Sequence, residues 1–523
     1  MNWLGGNEME SVIKVYPNQY YDSVQLMFIT SALKKKQGIT TVLVAMGTQA
    51  NKEIFIDIGM NSKSVGEAGP NDMIIGVSAL DQATCDQAIE EAQALLKAEG
   101  AAVEDKTSYS SVKSAVQANN KANLCIISVP GEYAKAEAIK ALNSGLHTLI
   151  FSDNVPLEDE REIKLLAQEK GLLCMGPDCG VANINGKSFL VGSIVRKGPI
   201  GICAASGVGL QEVSVLVHEA GSGISQGIGT GGKDLKDKVG GLTMLSGIDA
   251  LEKDEETKVI VLISRKPESK SLESVLDRVA KCVKPVIICF MGCEKEEILK
   301  SGAVYAHNLE AAARKALSLA GIVLEEADPE KVQELADAHA TAMSKEQKYV
   351  RGLFCGGTFV EEAMVAMRED IGDIYSNAPL SEEFKLGKAT VSYKNSVVDY
   401  GDEEFTMSRP HPVIDTEPRA MGIIREANDP ETAVMLLDFV LGPAVNSDPV
   451  GSVINNIKEA MKIVSDRGGK LAVVASVCGT EADPQKRSLQ QEMLREAGVI
   501  VCHDNYQAAL LAGKMIKSKM RRA

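Results

Sequence analysis

Between residues 200 and 232 the chain places small residues where an anion would need them. The apolar run Ile200-Gly201-Ile202-Cys203-Ala204 predicts a buried parallel strand. It gives way to Ala205-Ser206-Gly207-Val208-Gly209, a turn of small residues, and then to helical spacing over 210–220. A tight turn between strand and helix aims free backbone N–H groups and the positive end of the helix dipole at one point. That point suits phosphate or carboxylate, with the N–H groups of Ser206, Gly207 and Val208 and the Ser206 hydroxyl as donors. A second cluster, Gly227-Ile228-Gly229-Thr230-Gly231-Gly232, follows the next predicted strand. Two such turns together point to a pocket for phosphate or an acyl phosphate. Taken singly, each also reads as glycines that merely end a strand.

Other polar constellations stand at predicted strand ends, where open parallel sheets bind ligands. Arg409-Pro410-His411-Pro412 holds a histidine between two prolines, each with φ fixed by its ring. Arg409 suits bidentate contact with a carboxylate, and His411 suits donation to a carbonyl or proton transfer near neutral pH. A stiff surface turn with a salt bridge is the structural reading of the same residues. Leu441 to Asp448 ends a strand ahead of a helix and offers Asn446 and Ser447 to a ligand; Asp448-Pro449 also reads as a plain N-cap with proline in the first turn. Thr480, Asp483 and Arg487 follow the strand predicted at 471–476 and fit either substrate or a subunit contact. Asp178 and Cys179 sit at a further strand end, where a packed polar turn is expected.

Strand-like and helix-like stretches alternate along almost all of the 523 residues, the pattern of an α/β protein built on parallel sheets. A Rossmann-like domain is expected over 1–197, a second domain over 198–324, a charged helical connector over 325–347 and a third domain over 348–523, each doubly wound. Aromatics are 4% of the chain, so its cores must rest on aliphatic residues, as in parallel sheets. A net charge of −15 argues against nucleic acid as a partner. Eleven cysteines without a CxxC pair, and six histidines without HxxH or HxxxH spacing, give neither a disulfide framework nor a metal site. No secretory or membrane-spanning run is present, and a cytoplasmic address with no membrane partner is expected.

The stretch 123–180 resembles the nucleotide-fold, CoA-binding-type domain of succinyl-CoA synthetase alpha subunits, and 198–232 resembles the ligase-type domain that follows it. The third block is similar to the carboxy-terminal domain of the beta subunit; the resemblance makes both of these domains flavodoxin-like. With Tyr21 to Met27, SVPGEYA, GPDCG and RPHPVID in order on one chain, the nearest resemblance is to the FdrA family. The resemblance also locates departures. After the strand at 286–290, where the synthetases carry a phosphorylated histidine, this chain has Met291-Gly292-Cys293-Glu294-Lys295, with His307 further on. Arg265 stands where the supporting glutamate is expected. The beta-like part begins near Lys348 without an ATP-grasp domain, and Pro17-Asn18-Gln19-Tyr20-Tyr21 replaces the glycine-rich CoA loop.

This resemblance implies a subunit of an oxamate carbamoyltransferase (carbamoyl phosphate + oxamate ⇌ oxalurate + phosphate) in allantoin and purine breakdown, working with other protein subunits in an oligomer. The second helix terminus that meets the first in this superfamily is expected near Asn446 and Ser447. The small-molecule partners are a carboxylate and carbamoyl phosphate or phosphate. No cofactor is assigned, since the glycine-rich CoA loop and the ATP-grasp domain of the relatives have no counterpart here. Two alternatives stand beside it: an acyl-CoA synthetase with its nucleotide machinery on a partner, and a non-catalytic scaffold.

Overall fold

The computed structural model describes residues 10–19, 21, 23–34, 36, 38–102, 108–323, 329–406 and 409–522. Tyr20 and Asp22 of the N-terminal motifs, and the first residues of the expected connector, lie outside these. The chain divides into one unit of residues 1–109 with 407–410, and a second of 110–406 with 411–523. Among the described residues no helix is long and apolar enough to cross a membrane.

The first unit departs from the Rossmann-like order expected from residue 1. Its three described strands lie in the order Glu10–Tyr16, Met73–Ala79, Ile39–Met46, and both pairings are antiparallel. The central strand, Met-Ile-Ile-Gly-Val-Ser-Ala, is buried at every position. Helices Ser23–Lys34 and Gln82–Ala102 supply Leu26, Leu33 and Ile89 to one face, while Phe55, Met60 and Val65 cover the other. A strand buried on both faces reads as a continuous apolar run whichever way its neighbours point. Gly76 is the one position in it without a side chain, because a β-carbon there would lie 2.5 Å from Met60 Sδ and 2.9 Å from Phe55 Cε1.

Parallel sheets begin in the second unit. Strands Leu124–Ile127, His147–Ile150 and Cys174–Met175 form a three-stranded parallel sheet. A seven-stranded sheet follows, in the order Val304–Tyr305, Val286–Phe290, Val259–Ser264, Lys197–Ala204, Ile224–Gly229, Val181–Ile184, Lys187–Leu190. Its first five strands are parallel, and the last two form an antiparallel hairpin on the edge. Helix Pro329–Thr341 lies within the expected connector. The last sheet is six-stranded and parallel: Tyr375–Ser376, Ser396–Asp399, Tyr349–Phe354, Thr432–Val440, Ala472–Cys478, Ile500–Cys502.

The two large sheets share one core. Leu210, Val213 and Val217 of helix Gly207–Glu219 pack in the same cluster as Phe359, Ala363 and Met367 of helix Gly357–Ile371 and Ala508, Ala512 and Met515 of helix Asn505–Met520. The two halves also cap each other's helices. Glu212 and Glu362 hold equivalent places, each five residues after its helix's first glycine (207 to 212, 357 to 362). Glu362 accepts the N–H of Leu309, first residue of helix Leu309–Leu319, at 2.8 Å; Glu212 accepts that of Asn505 at 3.3 Å. Each carboxyl thus meets an orphan helix donor contributed by the other half.

Candidate anion site at two helix termini

Strand Lys197–Ala204 leads through Ala205 to Ser206, the N-cap of helix Gly207–Glu219. The Ser206 hydroxyl accepts the N–H of Gly209 at 2.9 Å, the usual N-cap bond. The same hydroxyl lies 2.5 Å from Thr358 Oγ1. Thr358 belongs to the first turn of helix Gly357–Ile371, which leaves strand Tyr349–Phe354 through Cys355 and Gly356. Two strand–turn–helix units therefore meet at their helix N-termini, and their N–H groups and dipoles add at one place. The contact is close because the second turn is glycine: a β-carbon on Gly356 would lie 2.8 Å from Val208 Cγ1.

Arg265 and Asp399 stand over that place. Arg265 follows strand Val259–Ser264, and Asp399 ends strand Ser396–Asp399. A β-carbon on Gly357 would lie 2.6 Å from Asp399 Oδ2 and 3.7 Å from Arg265 Nη1. Arg265 Nε donates to Glu361 Oε2 at 2.6 Å and the side chain stays 47% exposed, so a further ligand can reach it. Burial pushes the Glu361 carboxyl up, with Arg265 pulling the other way. Burial also raises Asp399, to about 6, against the N–H of Gly401 that its Oδ1 accepts at 2.8 Å.

The second glycine cluster borders the same region. Asp178, Cys179, Ala205, Gly207, Gly229 and Gly231 line one small cavity. Gly229 is glycine because the GPDCG loop lies on it: a β-carbon would lie 2.5 Å from Cys179 Sγ. Asp178 is raised to about 6, first by burial and then by Asp153. Cys179 is pushed up to about 12 by burial, which keeps it a thiol and removes it as a nucleophile.

The remaining expected residues fall in three places. His411 is partly buried: Nδ1 accepts the Val413 N–H at 3.4 Å, and Nε2 lies 2.7 Å from where a β-carbon of Gly401 would stand. Desolvation depresses it to about 4, so its ring is neutral at pH 7. Arg409 groups with the first unit, His411 with the second. Asn446 and Ser447 do not open a helix, since helix Ile454–Asp466 starts later. The Asn446 amide is spent on the turn itself, donating to Ile414 O at 3.0 Å and accepting from Asp448 N at 2.9 Å.

Thr480 is buried in the junction between the two large sheets, donating to Ile194 O at 2.7 Å, while Asp483 accepts the Ile194 N–H at 2.7 Å. Arg487 reaches Glu219 at 3.1 Å in the same junction. Thr358 and Asp399 escaped the sequence reading. Leu353-Phe354-Cys355-Gly356-Gly357-Thr358 nevertheless repeats the run-then-small-residues signal of 202–207. Among the described residues no group of His, Cys, Asp and Glu is arranged to hold a metal ion.

Comparison with known proteins agrees with this architecture. The family model described as "AllF, heavy metal-associated domain" matches residues 9–112, and the CoA-ligase model matches residues 353–515. Cys85, the one cysteine in the first of these stretches, is buried with Sγ against the carbonyls of Glu10 and Val77. The chain is 42% identical over 510 residues to YahF of Escherichia coli (strain K12), covering 97% of this chain and 99% of that protein. It is 32% identical over 173 residues to the ADP-forming sulfoacetate-CoA ligase subunit SqwL of an Acholeplasma species, 32% of this chain and 56% of that subunit. To the succinate–CoA ligase [ADP-forming] subunit alpha 2 of Archaeoglobus fulgidus it is 27% identical over 183 residues, 34% of this chain and 62% of that subunit.

Proposed function

The chain belongs to the family of YahF, an FdrA-type branch of the succinyl-CoA synthetase-like CoA ligases, and from that premise we propose that it is the acyl-phosphate subunit of a carbamoyltransferase. The reaction is carbamoyl phosphate + oxamate ⇌ oxalurate + phosphate. The observation that carries the reading is the meeting of two helix N-termini at Ser206 and Thr358, with Arg265 beside them. Phosphate in that cradle leaves as a better-stabilised anion, and catalysis rests on fixed dipoles and positioning. Carbamoyl phosphate arrives already activated, so the loop Met291-Gly292-Cys293 needs no phosphate-carrying histidine. Neutral His411 donates a hydrogen bond to the substrate. Eleven free cysteines fit a reducing cytoplasm, where partner subunits complete the enzyme.

The test is phosphorolysis. The purified chain, alone and with its partner subunits, is given oxalurate and phosphate, and carbamoyl phosphate is assayed. Product from the assembly supports the reading. The match of the CoA-ligase model to residues 353–515 favours a second reading, a CoA ligase subunit with nucleotide machinery on a partner. No carbamoyl phosphate, together with CoA-dependent acyl phosphate turnover, would establish it instead.

A further inference from the structure

We propose that Asp399 is the proton acceptor of this site, taking the proton from an N–H nucleophile as that nitrogen attacks the acyl phosphate. The proposal rests on the carbamoyl-transfer reading and names what that reading leaves open, the group that takes the nucleophile's proton.

The geometry is specific. Asp399 Oδ1 is used by the Gly401 N–H, and Oδ2 makes no hydrogen bond among the described residues. That unused oxygen stands over the first residue of the Gly357 helix, beside Arg265. Gly357 and Gly401 both lack the β-carbon that would push the carboxyl away; on Gly401 it would come 3.1 Å from Asp399 Oδ1. The backbone of Asp399 is fixed as well. Its N–H donates to Asn377 Oδ1 and its carbonyl accepts from Asn377 Nδ2, both at 2.9 Å.

A nitrogen nucleophile explains why a carboxylate would sit in a phosphate cradle at all. An amide nitrogen must shed a proton as its bond to the carbamoyl carbon forms. The carbon–oxygen bond to phosphate breaks, its electron pair leaves on the phosphate oxygen, and the proton passes to Asp399 Oδ2. In reverse the protonated Asp399 returns it to the departing nitrogen. A thiolate nucleophile would need no such base and would be repelled by one.

The groups facing Asp399 set when it accepts a proton. Arg265 favours its anion; Asp402, from its own loop, and Asp438, on strand Thr432–Val440, oppose it. Asp438 is itself paired with Arg419 at 3.1 Å. Cys355 and His411 are neutral neighbours, both held so by burial. With its carboxyl held at about 6, chiefly by burial, Asp399 is ionised at pH 7 yet close to accepting a proton.

Sulfate separates place from reaction, since it is a tetrahedral dianion that does not titrate near neutral pH. Calorimetry of sulfate binding to the full chain, in buffers of different ionisation enthalpy, should show uptake of about one proton near pH 6.5. Asp399→Asn should abolish that uptake and tighten sulfate about tenfold at pH 8, whereas Glu361→Gln should keep the uptake. In the assembled enzyme Asp399→Asn should slow oxalurate phosphorolysis by roughly 10²–10⁴-fold. Sulfate binding without proton uptake in the wild-type chain overturns the role of Asp399 and leaves the carbamoyl-transfer reading standing. An assembly that turns over no oxalurate overturns that reading, and this proposal with it.

Discussion

Arg265 shows how much one side chain decides at a helix terminus. The dipoles of two helices already favour an anion, and a guanidinium adds a full charge with directional donors. Arg265→Gln is expected to weaken inorganic phosphate binding by about 1.5–3 kcal/mol, the worth of a charge-assisted bond, or roughly tenfold to a hundredfold; calorimetry reads it directly. His411 makes the opposite kind of prediction. Held down to about 4 by burial, it should show no ring titration in nitrogen-15 spectra from about pH 8 to pH 5.5. Protonation near 6.5 would mean that it faces solvent. Arg265 was legible in the sequence as a basic residue at an expected acidic position. Asp399 was not, because nothing in Ser396-Val397-Val398-Asp399 reveals that its neighbour strand delivers a helix terminus beside it.

The strand–small turn–helix unit was the legible element, and it occurs twice. Its first copy was read at 200–220, although the helix expected from Leu210 already begins at Gly207, with Ser206 as its N-cap. Its second copy, at 349–371, carries the same signal but was passed over for residues 441–448, whose Asn446 and Ser447 were expected at a helix terminus that does not form there. Strand direction was the part no local pattern encoded. The run at 73–79 looks like a parallel core strand and pairs antiparallel on both sides. The second copy also makes a test. Gly357→Ala places a methyl group 2.6 Å from Asp399 Oδ2, so the carboxyl must move. A cost of about 1–3 kcal/mol is expected from such overpacking, visible as a lowered Tm, together with loss of phosphate binding.

At the scale of the molecule, the crossed caps join the two large sheets through buried acids. Burial, ahead of all other causes, raises Glu212 to about 7 and Glu362 to about 8, from an ordinary 4.5. Folding therefore takes up protons between those values, so this contribution to stability is full at low pH and lost as pH rises through the folded values. Glu212→Gln should flatten that dependence and raise Tm at pH 8 by about 2–4 °C, the change expected for roughly 1 kcal/mol in a domain of this size. A Tm profile that parallels wild type from pH 5 to 8 would show that Glu212 stays charged when buried.

Both helix termini of the cradle lie on a single polypeptide. Their encounter is therefore not bimolecular, and no concentration enters its equilibrium. Diluting the protein from micromolar to nanomolar should leave its phosphate affinity unchanged. A site assembled from separate chains would fade over the same range as its subunits parted.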